Sequence, residues 1–238
     1  MSVFVTGDTH ANVSRLSHKR FKQGRYLTKQ DYVIITGDFG LVWDVNESCR
    51  HEQHWLEWLS GKKFTTLFID GNHENFDRLY EIDTKNQNYI CENVVGEVID
   101  SIYHLKRGLV YIIDGKKYWV FGGAKSIDKY RRREHISWWS QEIPNIQEEK
   151  LGIQSLEENN WEVDYIITHT APQSIIEQVD KRYLPEFSPT EAYSLTKYLE
   201  YVKRHAKYKK WFIGHLHLDE EVDKKHILIY ENIIKIGE

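Results

Sequence analysis

Five times along the chain a short run of β-branched and aromatic residues stops at a polar turn. The runs are "SVFVT" (2–6), "DYVIIT" (31–36), "FTTLFI" (64–69), "DYIIT" (164–168) and "KWFIG" (210–214). The turns that follow are "GDTH" (7–10), "GDFG" (37–40), "GNHE" (71–74), "THTAP" (168–172) and "GHLH" (214–217). Apolar stretches this short and continuous suit strands buried on both faces, as in a sheet covered by helices. In such α/β sheets the carboxyl ends of the strands open onto a common crevice, so the five turns are expected to meet.

Helical patterns lie between the runs. In "HEQHWLEWLS" (51–60), Trp55, Trp58 and Leu59 share one face, and in 188–205 Ala192, Leu195, Leu199 and Val202 do the same. The second pattern starts with Ser188 as N-cap, Pro189 as first helical residue and Glu191 completing a capping box. From 96 to 123 the texture changes to closely spaced strands, with "DGKK" (114–117) as a hairpin turn, and the tail "HILIYENIIKIG" repeats the pattern with Glu231 and Asn232 turning. Hairpins in the middle and at the end, with strand-helix alternation elsewhere, predict two packed mixed sheets flanked by helices. No repeat or linker-like tract interrupts the 238 residues, which are expected to form a single domain, 1–238.

With 40% hydrophobic residues the chain can bury a core, and its formal charge of −4 gives no overall attraction to nucleic acid or anionic membrane. No run reaches the ~20 apolar residues of a membrane helix. Cys49 and Cys91 have no metal-type spacing and no leader precedes the first strand, so a reducing, cytoplasmic setting is expected.

The five turns would gather Asp8, His10, Asp38, Asn72, His73, His169, His215 and His217. Uncompensated, such a buried cluster would cost several kcal/mol per charge, and bound cations remove that cost. Carboxylates with imidazoles suit manganese, iron, cobalt, nickel or zinc, and eight groups are too many for one ion. Two ions sharing a carboxylate form an apparatus for phosphate-ester hydrolysis.

In this order, the motifs resemble those of the calcineurin-like metallophosphoesterase superfamily: GDxH, GDxxD, GNH[ED], a later histidine and GHxH. The resemblance spans residues 7–217. It implies a four-layer αββα sandwich and two divalent metal ions, manganese foremost. Asp8, His10 and His217 would hold one ion, Asn72, His169 and His215 the other, and Asp38 would bridge them. It further implies in-line attack by a metal-bridging hydroxide on a phosphodiester or phosphomonoester, with His73 protonating the leaving group. One departure stands out. The second motif has Leu41 where the pattern has Asp, and Asp44 in "GLVWD" is the nearest substitute for orienting His73.

The stretch "GGAKSIDKYRRREHISWWSQEIPN" (122–145) offers Arg131, Arg132 and Arg133 for phosphate oxygens, and Trp138 or Trp139 for stacking on a base. The run "KRHAKYKK" (203–210) reads better as the exposed end of a helix than as a nucleic-acid patch. The expected partner is therefore a phosphoester of modest size, such as a nucleotide. A compact nuclease is the alternative, and a non-catalytic metal-stabilised scaffold is the alternative of another class.

Overall fold

The computed structural model describes residues 1–45, 49–183 and 193–237. In chain order the elements are β1 (Val3–Thr6), β2 (Tyr32–Ile35), α1 (Arg50–Ser60), β3 (Thr65–Phe68), α2 (Phe76–Lys85), β4 (Gln87–Ile90), β5 (Asn93–Ile99), β6 (Ile102–Leu105), β7 (Val110–Ile113), β8 (Lys116–Phe121), α3 (Ile146–Glu158), β9 (Tyr165–Thr168), α4 (Gln173–Tyr183), α5 (Ser194–His205), β10 (Lys210–Ile213), β11 (Glu220–Glu221), β12 (His226–Leu228) and β13 (Ile233–Lys235). They form two mixed sheets, ordered β13-β1-β2-β3-β6-β5-β4 and β11-β12-β10-β9-β8-β7.

The apolar runs explain the layering, because alternate residues of each strand enter different cores. In the first sheet Val3, Val5, Ile34 and Leu67 face the second sheet's Val120, Ile167 and Phe212, filling the space between the sheets. Their neighbours Phe4, Val33, Ile35 and Phe68 face outward, where Leu59 of α1 and Phe76 and Leu79 of α2 cover them. On the far side Trp119, Ile166 and Trp211 meet Leu156 of α3, Ile175 of α4 and Leu195, Leu199 and Val202 of α5. The result is the four-layer αββα sandwich.

Asp114 and Gly115, at φ 52° and 69°, make the expected hairpin turn between β7 and β8. The tail departs from expectation. β12 pairs parallel with β10 in one sheet, whereas β13 pairs antiparallel with β1 in the other, so the two do not form a hairpin. The Asp219 carboxylate stabilises the crossing by accepting the backbone N–H groups of Tyr230, Glu231 and Asn232 at 2.9–3.2 Å. The α5 pattern holds from Ser194 onward, while Ser188, Pro189, Glu191 and Ala192 lie outside the described residues. Among the described residues no helix is long and apolar enough to cross a membrane.

A buried ionic cluster ties α2 to the first sheet. His104 of β6 places Nδ1 2.9 Å from Asp83 and Nε2 3.4 Å from Asp70, and Arg107 holds the other Asp70 oxygen at 2.5 Å. Burial alone would lower the His104 pKa, but Asp83 and Asp70 together raise it to about 9. The unfolded value is about 6.5, so this stabilisation is complete below pH ~6.5 and is lost as the pH rises through ~9. Urea denaturation of metal-free wild type and H104Q should show the wild type's advantage shrinking by roughly 3 kcal/mol between pH 6 and 9.5. A constant gap would refute the protonated cluster.

Candidate metal centre

β1, β2 and β3 are parallel neighbours, as are β9 and β10 in the facing sheet, and their carboxyl ends lie along one edge of the sandwich. The loops after them are stitched together. Asp38 O accepts the N–H groups of Thr9 and His10, and Thr168 O accepts that of Gly214. This topology carries Asp8, His10, Asp38, Asn72, His169, His215 and His217 to one place.

Close approach demands glycine. A Cβ at Gly71 would lie 2.0 Å from Asp38 Oδ1, and one at Gly214 2.6 Å from Asp8 Oδ1. The ligand backbones are also unusual. His10, Asp38, His215 and His217 have φ of 43°, 46°, 65° and 51°, a region non-glycine residues enter at an energetic cost and one enriched at functional sites. The two GHLH histidines thus lie on a tight turn closed by Leu216 N–H to Gly214 O (2.7 Å), not on an extended segment. The turn parts them: the His215 ring lies 5.0 Å from that of His169, and the His217 ring 5.2 Å from that of His10.

Among the described residues, two groups of side chains have donor atoms close enough to share an ion: Asp8, His10 and His217, and Asp8, Asp38 and His169. The Asp38 carboxylate, almost fully buried, faces both sides, with Oδ1 3.4 Å from His169 Nε2 and Oδ2 3.7 Å from His10 Nε2. His10 Nε2 and His217 Nε2 point at each other across 3.1 Å, and Asp8 Oδ2 is 3.1 Å from the latter. Converging lone pairs and carboxylates suit a cation.

The electrostatics agree. Burial would lower the pKa of His169, but Asp38 and Asp8 raise it to about 10, so this field stabilises positive charge at the centre. Burial pulls His215 down to about 4, leaving a neutral imidazole with a lone pair to offer. Asn72 is oriented by a chain the sequence did not announce. Its Nδ2 donates to Ser126 Oγ at 3.1 Å, Ser126 donates to the buried Glu142 at 2.5 Å, and Asn72 Oδ1 thereby faces His169 Nε2 at 3.1 Å. Glu74, the last residue of GNHE, anchors the neighbouring loop through Phe39 N–H at 2.7 Å.

His73 sits at the mouth of the centre, its N–H bonded to Asp38 Oδ1 at 2.7 Å. Its ring partner is Arg132, whose Nη1 lies 3.1 Å from Nδ1. Asp128 grips Arg132 with both oxygens at 2.8 Å, and Ser137 O accepts from Nη1 at 3.1 Å. Burial, more than the adjacent guanidinium, depresses the His73 pKa, against the pull of Asp38. Asp44 is engaged through its backbone. Its N–H donates to the buried Glu52, and its carbonyl accepts from Arg78 at 2.7 Å and Asn75 at 3.3 Å.

Of the other arginines, Arg131 lies over the Tyr130 ring and Arg133 is exposed with its N–H on Ser137. The tryptophans correct the expectation of base stacking. Trp139 is 1% exposed, packed in the outer core with Nε1 on Asp77 at 2.7 Å, and Trp138 is buried beneath the Lys129 ammonium. Of the run 203–210, Lys203, Arg204 and His205 end α5 as expected, whereas Lys210 opens β10, and Arg204, Lys207 and Lys209 pair with Glu200, Glu162 and Asp164.

Fold and centre together define a double-sheet α/β protein with a candidate carboxylate-imidazole metal site. A family profile for calcineurin-like phosphoesterases matches residues 1–219, and the chain belongs to that family. A solved crystal structure aligns over 96% of this chain and 89% of its own, at 13% identity and TM-score 0.49. No curated protein gives a significant match.

Proposed function

We propose that the protein is a dinuclear metal-dependent phosphoester hydrolase. The observation that carries this reading is the Asp38 carboxylate, whose two oxygens face His10 on one side and His169 on the other. Asp8, His10 and His217 would hold one divalent ion, Asn72, His169 and His215 the second, and Asp38 both. Manganese is the first candidate, with iron, nickel, cobalt or zinc as substitutes on chemical grounds. The ions supply Lewis acidity to the phosphoryl group and neutralise its charge.

The chain's own groups divide the remaining work. Arg132 lies against both ring nitrogens of His73, Nη1 3.1 Å from Nδ1 and Nη2 3.5 Å from Nε2, and donation to Nδ1 would leave the ring proton on Nε2, where it could hydrogen-bond to the departing ester oxygen. Arg132 takes the ring-orienting place that Asp44 was expected to fill, and Asp44 holds the 43–44 turn beside it through Glu52. The guanidinium, fixed by Asp128, also has one Nη2 N–H beyond these bonds that could meet a phosphate oxygen.

The test is a metal panel. Chelator-treated protein reloaded with manganese, iron, nickel, cobalt or zinc should hydrolyse p-nitrophenyl phosphate or bis(p-nitrophenyl) phosphate, with about two ions bound per chain at saturation. Two bound ions with no hydrolysis of any phosphoester, and a His73→Ala form behaving identically, would instead favour a metal-stabilised scaffold.

A further inference from the structure

A cavity of about 760 Å³ opens from the centre, with Asp38, His73 and His215 at its base. It is large enough to enclose a small organic ligand. Its walls are mixed, and they include Asp128, Asp180, Ser126 and Thr170. Arg132 and Lys125 contribute cations, the Lys125 ammonium lying 5.8 Å above the Tyr193 ring, while Ile127, Ile176, Leu216 and Tyr193 contribute apolar surface. Ile127 stands out because its side chain is 91% exposed at the cavity, on the segment that also supplies Lys125, Ser126 and Asp128. A large aliphatic group left in water beside a polar centre gains most when a ligand covers it.

A polymer fits these features poorly. Recognition of a nucleic-acid backbone needs a track of cations free to replace counterions. Arg204, Lys207 and Lys209 in the basic run 203–210 are already paired with carboxylates. A bare phosphate would leave the apolar wall unused.

We propose that the site takes a small phosphoester whose organic part is apolar. The phosphoryl end meets the candidate metal ligands and Arg132, and the apolar part covers Ile127 and the wall of Ile176, Leu216 and Tyr193. The assignment rests on the hydrolase reading above and narrows its substrate.

Phenylphosphonate and methylphosphonate share a phosphonate head and differ in the group that the wall would cover. Calorimetric titration of the manganese-loaded protein should show phenylphosphonate binding at least about tenfold tighter. Ile127→Ser, a change at an exposed position that leaves the core intact, should narrow that ratio about threefold or more. Affinities within twofold, in protein that still hydrolyses p-nitrophenyl esters, overturn the apolar assignment and leave the hydrolase reading standing. A phenyl preference that I127S does not alter overturns the role of the 125–128 segment. An oligothymidylate that binds more tightly than phenylphosphonate returns the nuclease alternative. Neither phosphonate binding, with no hydrolysis, refutes both readings together.

Discussion

Asp38→Asn should bind fewer than two metal ions per chain and lose at least about 1000-fold in kcat/KM. The amide preserves the shape packed against Gly71 and can still accept the His73 N–H, but it cannot offer two anionic oxygens. The substitution also takes away one of the two carboxylates that flank the His169 ring. Metal stoichiometry by mass spectrometry, measured beside turnover of bis(p-nitrophenyl) phosphate, separates loss of the ions from loss of chemistry. Wild-type stoichiometry together with wild-type turnover would remove Asp38 from the centre.

His73→Asn is expected to act differently. The ring faces Arg132, and its backbone N–H is what bonds Asp38, so metal content should stay at the wild-type level. Turnover should fall by about 100- to 1000-fold if the ring N–H hydrogen-bonds to the leaving oxygen as charge develops on it. The loss should be greatest with a basic alkoxide leaving group and smallest with p-nitrophenolate, which departs with little help. An equal loss for both would place His73 in binding rather than in leaving-group stabilisation. Arg132→Ala should show a weaker form of the same leaving-group dependence, with a raised KM, because the guanidinium both orients the ring and meets the phosphate.

The candidate ligand residues were legible as a set of strand-end turns because their constraints are local. Glycine followed by Asp, Asn or His at the end of an apolar run is a pattern that strand geometry and close packing force into the chain at each position separately. The strands themselves were legible for the same reason, since both of their faces are buried. The tail was not. "HILIYENIIKIG" has the local texture of a hairpin, yet β12 and β13 join different sheets, a choice made by pairing with β10 and β1 and by the distant Asp219 carboxylate. The partners of the site residues were hidden for a similar reason. Arg132 reaches His73 across 59 positions, and Ser126 reaches Asn72 across 54.

Sequence by itself thus determined which residues are candidates to bind metal and on which strand ends they stand. Tertiary structure decided that Asp38 faces both groups of ligands, that an arginine rather than a carboxylate attends His73, and that the Trp138–Trp139 pair belongs to the core. A strand end is specified by its own few residues. The direction of a side chain at the site is set by neighbours that only the packing of two sheets brings within a few ångströms.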